Sequence, residues 1–318
     1  MTISELAQPE TETTQCDLCH AAASQELYHF QDILYELPGQ FTMRQCAQCG
    51  LMYLSPRPTP AAIGLYYPPQ YSSYHKPIEE EKTAVMQWIR RRKLIKRRQL
   101  IEQFSAKQSG DILDVGSSTG LFLNEMQHSG WRVQGIEPIA VAAEFAQNYY
   151  RIDVFQGMFN QAPFDPASFD AITFWDVLEH TYSPTEELNL AAKLLRPGGI
   201  IAISVPNWDS TERQWFGRHW QGYDPPRHLY VFNRATLTAL LEQSGFVILD
   251  WVCFMPSYFS FIISLQRWLK TKNPTISRWA MKIATFPGMR LPFEPWFSYL
   301  NHRGKGSVIS VFAQKKEA

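Results

Sequence analysis

At 318 residues the chain has room for one large α/β domain and a smaller appendage, and its 45% hydrophobic content can fill a sizeable core. Lys+Arg and Asp+Glu number 30 each, a balance that speaks against a dedicated nucleic-acid binder. The opening MTISELAQPETETTQ has no basic or apolar targeting region, and no run reaches the ~18 apolar residues of a membrane span, so the expected setting is the cytoplasm.

Residues 1–15 read as a disordered lead-in. Residues 16–60 then carry Cys16-x2-Cys19 and Cys46-x2-Cys49. Each C-x2-C turn aims two thiolates at one point, and two such turns complete a tetrahedral four-thiolate shell for zinc. Four protein ligands leave no open position, so the expected zinc ribbon is structural. Disulfides are the alternative, and the missing signal peptide weighs against them. His20, beside Cys19, is expected to be exposed, and Cys253 to be a core residue.

Residues 61–106 read as linker and helix. The Tyr/Pro-rich LYYPPQYSSYHKP is expected to be irregular, and Glu79 to Phe104 helical. That helix carries RRRKLIKRR, read as a solvated face, with RNA, anionic lipid or a nucleotide phosphate as alternative contacts.

Strand and helix signals alternate over residues 107–252. DILDV, WRVQGIE, DVFQG, FDAITFW and IIAISV are strands, with FVILDWV and SVISVFAQ following late. Gly120 opens a helix to Gly130, and another runs from Val141 to Tyr150. Ser183-Pro184-Thr185-Glu186 is a capped helix start for a helix ending at RPGG, and Asn233 caps a later helix ending near Gly245. The expected fold is α/β: a Rossmann-like, mainly parallel seven-stranded sheet with helices on both faces, closed by an antiparallel hairpin.

Between the first strand and its helix lies Asp114-Val115-Gly116-Ser117-Ser118-Thr119-Gly120. Glycines there permit a tight turn and close approach of a ligand, and the helix start offers unpaired N–H groups to an anion. A dinucleotide loop would want a third glycine where Leu123 stands. A cofactor bearing a carboxylate instead of phosphates tolerates that lack. Glu137 ends the second strand about 20 residues after the loop, the spacing of a carboxylate that grips a ribose diol.

From Asp111 to Val252 the chain resembles class I S-adenosylmethionine (SAM) dependent methyltransferases, particularly the bacterial group with DVLEH and LLRPGG motifs. The resemblance implies that Gly116 and Gly120 flank the methionine end of SAM, that Asp114 orders it and that Glu137 binds the ribose. Ser118 replaces the family's middle glycine. Gly157-Met158-Phe159 stands where many members place an adenine-contacting Asp, leaving adenine to backbone groups, Met158 and Phe159. With Ser117 in the turn and Trp175 at the end of the fourth strand, these residues form the expected cofactor site.

The fourth strand runs into Asp176-Val177-Leu178-Glu179-His180, whose polar groups should face the methyl donor. His180 and His228 have the pKa of a neutral-pH base, and Asp176 completes the expected catalytic set. The segment Asp224 to Tyr230 resembles the acceptor loop of sugar C-methyltransferases and ubiquinone-pathway O-methyltransferases, which implies His228 as base or acceptor ligand. Asp176, Glu179 and His180 resemble the E-x-x-E-H run that holds a divalent cation in the latter. The plainer alternative is that Glu179 and His180 order the junction. No [N/D]-P-P-[Y/F/W] run of base-amino methyltransferases is present at this strand end.

A zinc ribbon before a SAM domain resembles bacterial sugar C-methyltransferases, but their further large C-terminal domain has no counterpart in the about 65 residues after Trp251. Residues 253–318 read as an aromatic and basic helical insertion plus a final strand. Its stretch 256–299 is either packed on the sheet, a lid over an apolar acceptor, or a peripheral membrane contact. The expected activity is methyl transfer from SAM to a small or carrier-linked acceptor, foremost a sugar or glycan intermediate. The alternatives are O-methylation of a phenolic, quinone or lipid acceptor, RNA modification, and a non-catalytic SAM-fold scaffold.

Overall fold

A computed structural model describes residues 9–68, 77–80, 84–255, 257–286 and 288–316. Residues 69–76 of the Tyr/Pro-rich stretch, residues 1–8 of the lead-in and residues 81–83 of the expected Glu79 helix lie outside the described residues, and Ile78–Glu80 forms a short 3-10 turn.

The N-terminal part folds as β1 (Thr11–Glu12), β2 (Ser24–Phe30), β3 (Phe41–Cys46), β4 (Met52–Leu54) and β5 (Arg57–Pro58). The lead-in expectation needs correction here. Thr11–Glu12 pairs antiparallel with Arg57–Pro58, and Arg57 Nε donates to Glu12 Oε1 at 2.8 Å. After α1 (Ala84–Ser105) come β6 (Asp111–Val115), α2 (Leu121–His128), β7 (Arg132–Glu137), α3 (Ala140–Tyr150), β8 (Asp153–Gln156) and β9 (Phe169–Trp175). Then follow α4 (Pro184–Leu194), β10 (Leu195–Pro206), α5 (Thr211–Phe216), β11 (Tyr230–Val231), α6 (Arg234–Gln243) and β12 (Phe246–Val252). The chain ends with α7 (Tyr258–Lys272), α8 (Pro274–Ala284), α9 (Glu294–His302) and β13 (Val308–Lys315).

Seven strands form one sheet in the order β12-β13-β10-β9-β6-β7-β8. Pairing is parallel from β10 through β8, and β13 runs antiparallel to both β10 and β12. This is the expected mainly parallel sheet with its late hairpin. All seven residues of β9 are buried, as a central parallel strand covered on both faces requires. Alternation sends Ile172 and Phe174 to a core shared with α4, α6 and the N-terminal sheet, and Ala171 and Trp175 to one shared with α1, α2 and α3.

Local signals set the helix ends. Ser183 Oγ accepts from Glu186 N with Pro184 at the first helical position, and Asn233 accepts from Thr236 N. The RPGG expected to close α4 is instead the irregular start of β10, with a register shift between Leu195 and Ile200. The N-terminal module is also less separate than its sequence suggests. β11 pairs antiparallel with β4, Tyr230 opposite Tyr53 and Val231 opposite Met52, so the ribbon sheet reads β11-β4-β3-β2. A strand of two residues carries no periodicity to announce it.

Candidate active site

Parallel strands end together, so β6, β7, β8 and β9 bring Asp114, the 116–120 loop, Glu137, Met158 and Trp175 to one edge of the sheet. The loop alternates left-handed residues: Gly116 at φ 71°, Ser118 at 49° and Gly120 at 78°. Its N–H groups are mostly taken up internally. Gly116 N and Ser117 N donate to Ile136 O at 2.8 and 2.9 Å, Gly120 N to Ser117 O at 2.9 Å, and Ser118 N to Glu137 Oε2 at 2.8 Å. What faces an anion is therefore the first turn of α2 rather than the loop amides.

The glycines have a protein-side reason. A Cβ on Gly116 would lie 2.5 Å from Val177 Cγ2, and one on Gly120 2.9 Å from Ala146 Cβ. Both were read as flanking the cofactor; the structure makes each a packing requirement as well. Glu137 takes Ser118 N–H on one oxygen and Ile139 N–H (2.9 Å) on the other, which leaves each oxygen a second lone pair for a diol. Burial pushes its carboxyl above the usual range. Asp114 is buried, accepts from Thr173 Oγ1 at 2.5 Å and is raised by burial to about 7.

Met158 is 45% exposed and reachable by a ligand, whereas Phe159 is 3% exposed with its ring on Phe174 at 5.8 Å. Phe159 thus serves the core, a correction to its reading as an adenine wall. Trp175 packs edge-on against Phe122 and carries Arg97 over its ring at 4.5 Å.

Arg97 is the residue that the sequence reading missed. It lies in the basic run expected to be solvated, yet it is buried and its Nη2 donates to Asp176 Oδ2 at 3.3 Å. Half-buried Lys93 stands one turn earlier, its amine pulled down by burial and by Arg97. The spacing of four was a usable signal that two cations share one helix face. Arg98 meets Glu102 and Glu125, so the run is not uniformly free for an external anion.

Past β9, Asp176 adopts φ 60° and turns toward Arg97, away from the expected carboxylate-rich trio. His228 takes its place. One ligand atom each from Glu179, His180 and His228 lie within 4.8 Å of one another, and the two rings meet edge-on at 4.6 Å. His180 Nδ1 is 3.0 Å from Arg227 O and 3.1 Å from Tyr67 Oη, and His228 Nδ1 is 2.8 Å from Gly222 O. A carbonyl only accepts, so each Nδ1 carries the proton and each Nε2 keeps its lone pair. Burial, reinforced by His228, drives His180 down to about 3, and burial lowers His228 as well. Both imidazoles are neutral at pH 7. Glu179 is buried with Oε2 lacking a partner among the described residues, and burial with Asp176 raises it well above a normal carboxyl.

The N-terminal sheet holds this corner in place. Asp32 and Arg227 are fully buried and bond at 2.7 Å, and Arg227 Nε donates to Asp224 Oδ2 at 2.9 Å. Burial alone would raise Asp224, but Arg227 overrules it and holds the carboxyl at about 2. Asp17, inside the first C-x2-C turn, accepts from Ser183 Oγ and Thr185 N, both at 2.8 Å, and so seats that turn on the start of α4. The four cysteine sulfurs lie within 4.8 Å of one another, and none of the four is in a disulfide. Zn–S bonds of about 2.3 Å put tetrahedral sulfurs roughly 3.8 Å apart, which this cluster can meet. His20, exposed at φ 58°, turns the first knuckle and is not in the cluster, and Cys253 packs partly buried against the core.

A family model described as a methyltransferase domain matches residues 86–250. A Mycolicibacterium smegmatis protein described as a probable S-adenosylmethionine-dependent methyltransferase is 29% identical over 167 residues, 51% of this chain and 60% of that protein. The match thus spans under two thirds of that relative's length. A ubiquinone biosynthesis O-methyltransferase of Xanthomonas campestris is 31% identical over 163 residues, 44% of this chain and 67% of the relative. Among solved structures, a phosphoethanolamine N-methyltransferase of Haemonchus contortus in complex with S-adenosyl-L-methionine aligns with a TM-score of 0.47 at 17% identity, over 70% of this chain and 53% of that one.

Proposed function

Since the chain belongs to the methyltransferase-domain family, we propose that it is a SAM-dependent methyltransferase that methylates a hydroxyl of a small or carrier-linked acceptor with His228 as general base. One observation carries this reading: two neutral imidazoles, each with Nδ1 fixed on a carbonyl, meet at the carboxyl end of the sheet. SAM supplies an electrophilic methyl on a sulfonium, and transfer is an in-line displacement. A hydroxyl is a weak nucleophile toward it, so a base that takes the proton contributes about 10²–10⁴-fold. His228 Nε2 is available for that proton. His180, beside it and held neutral by burial, helps hold the acceptor.

Glu137 and the 116–120 loop form the cofactor cradle in this reading, with Met158 toward the adenine. Arg97, buried beside Asp176 and Trp175, is a cation suited to the methionine carboxylate. The four-cysteine cluster is a structural zinc centre, since four thiolates leave no coordination position for a substrate. A sugar or glycan hydroxyl is the first acceptor class to test. A phenolic hydroxyl is the second, favoured by the ubiquinone biosynthesis O-methyltransferase among the relatives.

The test is methyl transfer from labelled SAM across sugar nucleotides, lipid-linked glycans and phenolic quinone precursors, read by mass spectrometry. His228→Ala is expected to lower turnover by about 10²–10⁴-fold on the accepted class while SAM affinity stays within about threefold. Unchanged turnover removes His228 from the mechanism.

A further inference from the structure

We propose that the surface formed by α7 to α9 docks the protein on an anionic membrane leaflet. α8 carries Ile276, Trp279 and Ile283 on one face, and Phe286 continues the stripe just past its end. The steps of three, four and three place all four within one arc of a helix. That arc is not covered: the four residues are 54%, 61%, 57% and 67% exposed. The opposite face is the one that packs, with Ser277 buried and its Oγ donating to Gln266 O of α7 at 3.0 Å. An apolar stripe pointing away from the protein has no structural reason within the chain.

A second exposed group adjoins it. Trp296 stacks on Trp215 at 6.3 Å and meets Tyr299 at 5.9 Å, and all three are at least 43% exposed. Tyr258 links α8 to α9, which carries Trp296 and Tyr299, its Oη donating to Ala284 O at the end of α8 and its ring meeting Phe297 of α9. Tryptophan and tyrosine with apolar neighbours suit the depth of lipid headgroups.

Charge selects an anionic surface. Residues 258–302 hold six basic side chains (Arg267, Lys270, Lys272, Arg278, Lys282, Arg290) against the single acid Glu294, in a chain whose totals are 30 and 30. Arg267, Lys270 and Arg290 pair with Asp224, Glu36 and Glu294. Lys272, Arg278 and Lys282 are left without an ion pair among the described residues. Arg278 and Lys282 border the α8 stripe one turn apart, and Lys282 Nζ sits 5.1 Å from the Trp279 ring. Each such cation is attracted to an anionic leaflet. Lysines beside the stripe disfavour a second copy of the chain as its cover, since interface cores are depleted in lysine.

α8 has 11 residues, and no helix of the described residues is long and apolar enough to cross a membrane, so this contact lies in the plane of the leaflet. Its position has a consequence for the site. Arg267 of α7 donates to Trp220 O and Gln221 O, both at 3.4 Å, and pairs with Asp224 of the loop that holds His228. The docking face and the His228 loop thus share one helix.

The experiment is co-sedimentation of the full chain with phosphatidylcholine vesicles, with and without phosphatidylglycerol, alongside tryptophan emission and light scattering. The expected result is binding to the anionic vesicles with a blue-shifted emission, at least tenfold weaker to neutral vesicles. Trp279→Ser with Ile283→Ser, and separately Arg278→Glu with Lys282→Glu, should each weaken binding about tenfold with the circular dichroism unchanged. These positions are exposed, so folding is not at stake. No sedimentation with either vesicle, equal binding to both, or a dimer in solution that the Trp279→Ser/Ile283→Ser protein loses, would each overturn the proposal.

Discussion

Ser118 sits at φ 49° between two glycines that share its left-handed conformation. A side chain in that region costs on the order of 1 kcal/mol, and a β-branched one more. The Ser118 N–H to Glu137 bond holds the strained residue in place. Ser118→Gly is therefore expected to leave stability within about 0.5 kcal/mol of the native chain or above it, while Ser118→Val lowers it by about 2 kcal/mol. Urea denaturation of the three proteins checks the order, and a valine variant as stable as the native protein contradicts it. At this scale the sequence singles out residues but not the partners they pack against. Gly116 and Gly120 stood out in a strand–loop–helix context, but their contacts with Val177 and Ala146 come from segments far along the chain. Tyr67 was silent because nothing local says that a linker tyrosine reaches His180, and the spacing of Lys93 and Arg97 shows a shared helix face without saying that it turns inward.

Elements were more legible, because strand hydrophobicity and helix caps are local properties. The seven strands of the large sheet fall where buried runs stand, and Ser183 and Asn233 cap as their side chains allow. The coupling between elements was not legible. The loop 224–229 leads directly into β11, which is the outer strand of the N-terminal sheet, and Asp32, in the loop between β2 and β3 of that sheet, neutralises Arg227. Asp32 also accepts from the N–H groups of Leu34, Tyr35 and Leu37, which fixes its own loop. Removing one partner of a fully buried ion pair is strongly destabilising. Asp32→Asn is expected to lower stability by roughly 3 kcal/mol and turnover at least tenfold, with SAM affinity retained because the cradle at residues 114–137 is untouched. Thermal melts, kinetics and SAM titration together check this. Equal loss of SAM binding and turnover would show a global rather than a loop effect.

Across the whole molecule, a three-layer α/β core gathers the carboxyl ends of the parallel strands at one edge, and the N-terminal module and the α7–α9 insertion both lean on the corner proposed as the acceptor site. Fold class was readable because alternating strands and helices admit few topologies. The acceptor was not, because the corner is assembled from four distant stretches that include Asp32, Tyr67, His180 and His228. In the proposed function, a SAM cradle at the ends of β6 and β7 underlies every step from cofactor to acceptor. Calorimetric titration of the purified chain with S-adenosylhomocysteine tests it most directly. One site per chain with a Kd of about 1–100 μM, weakened at least tenfold in Glu137→Ala, is the predicted result. No heat at millimolar ligand, or the same isotherm for Glu137→Ala, would contradict it.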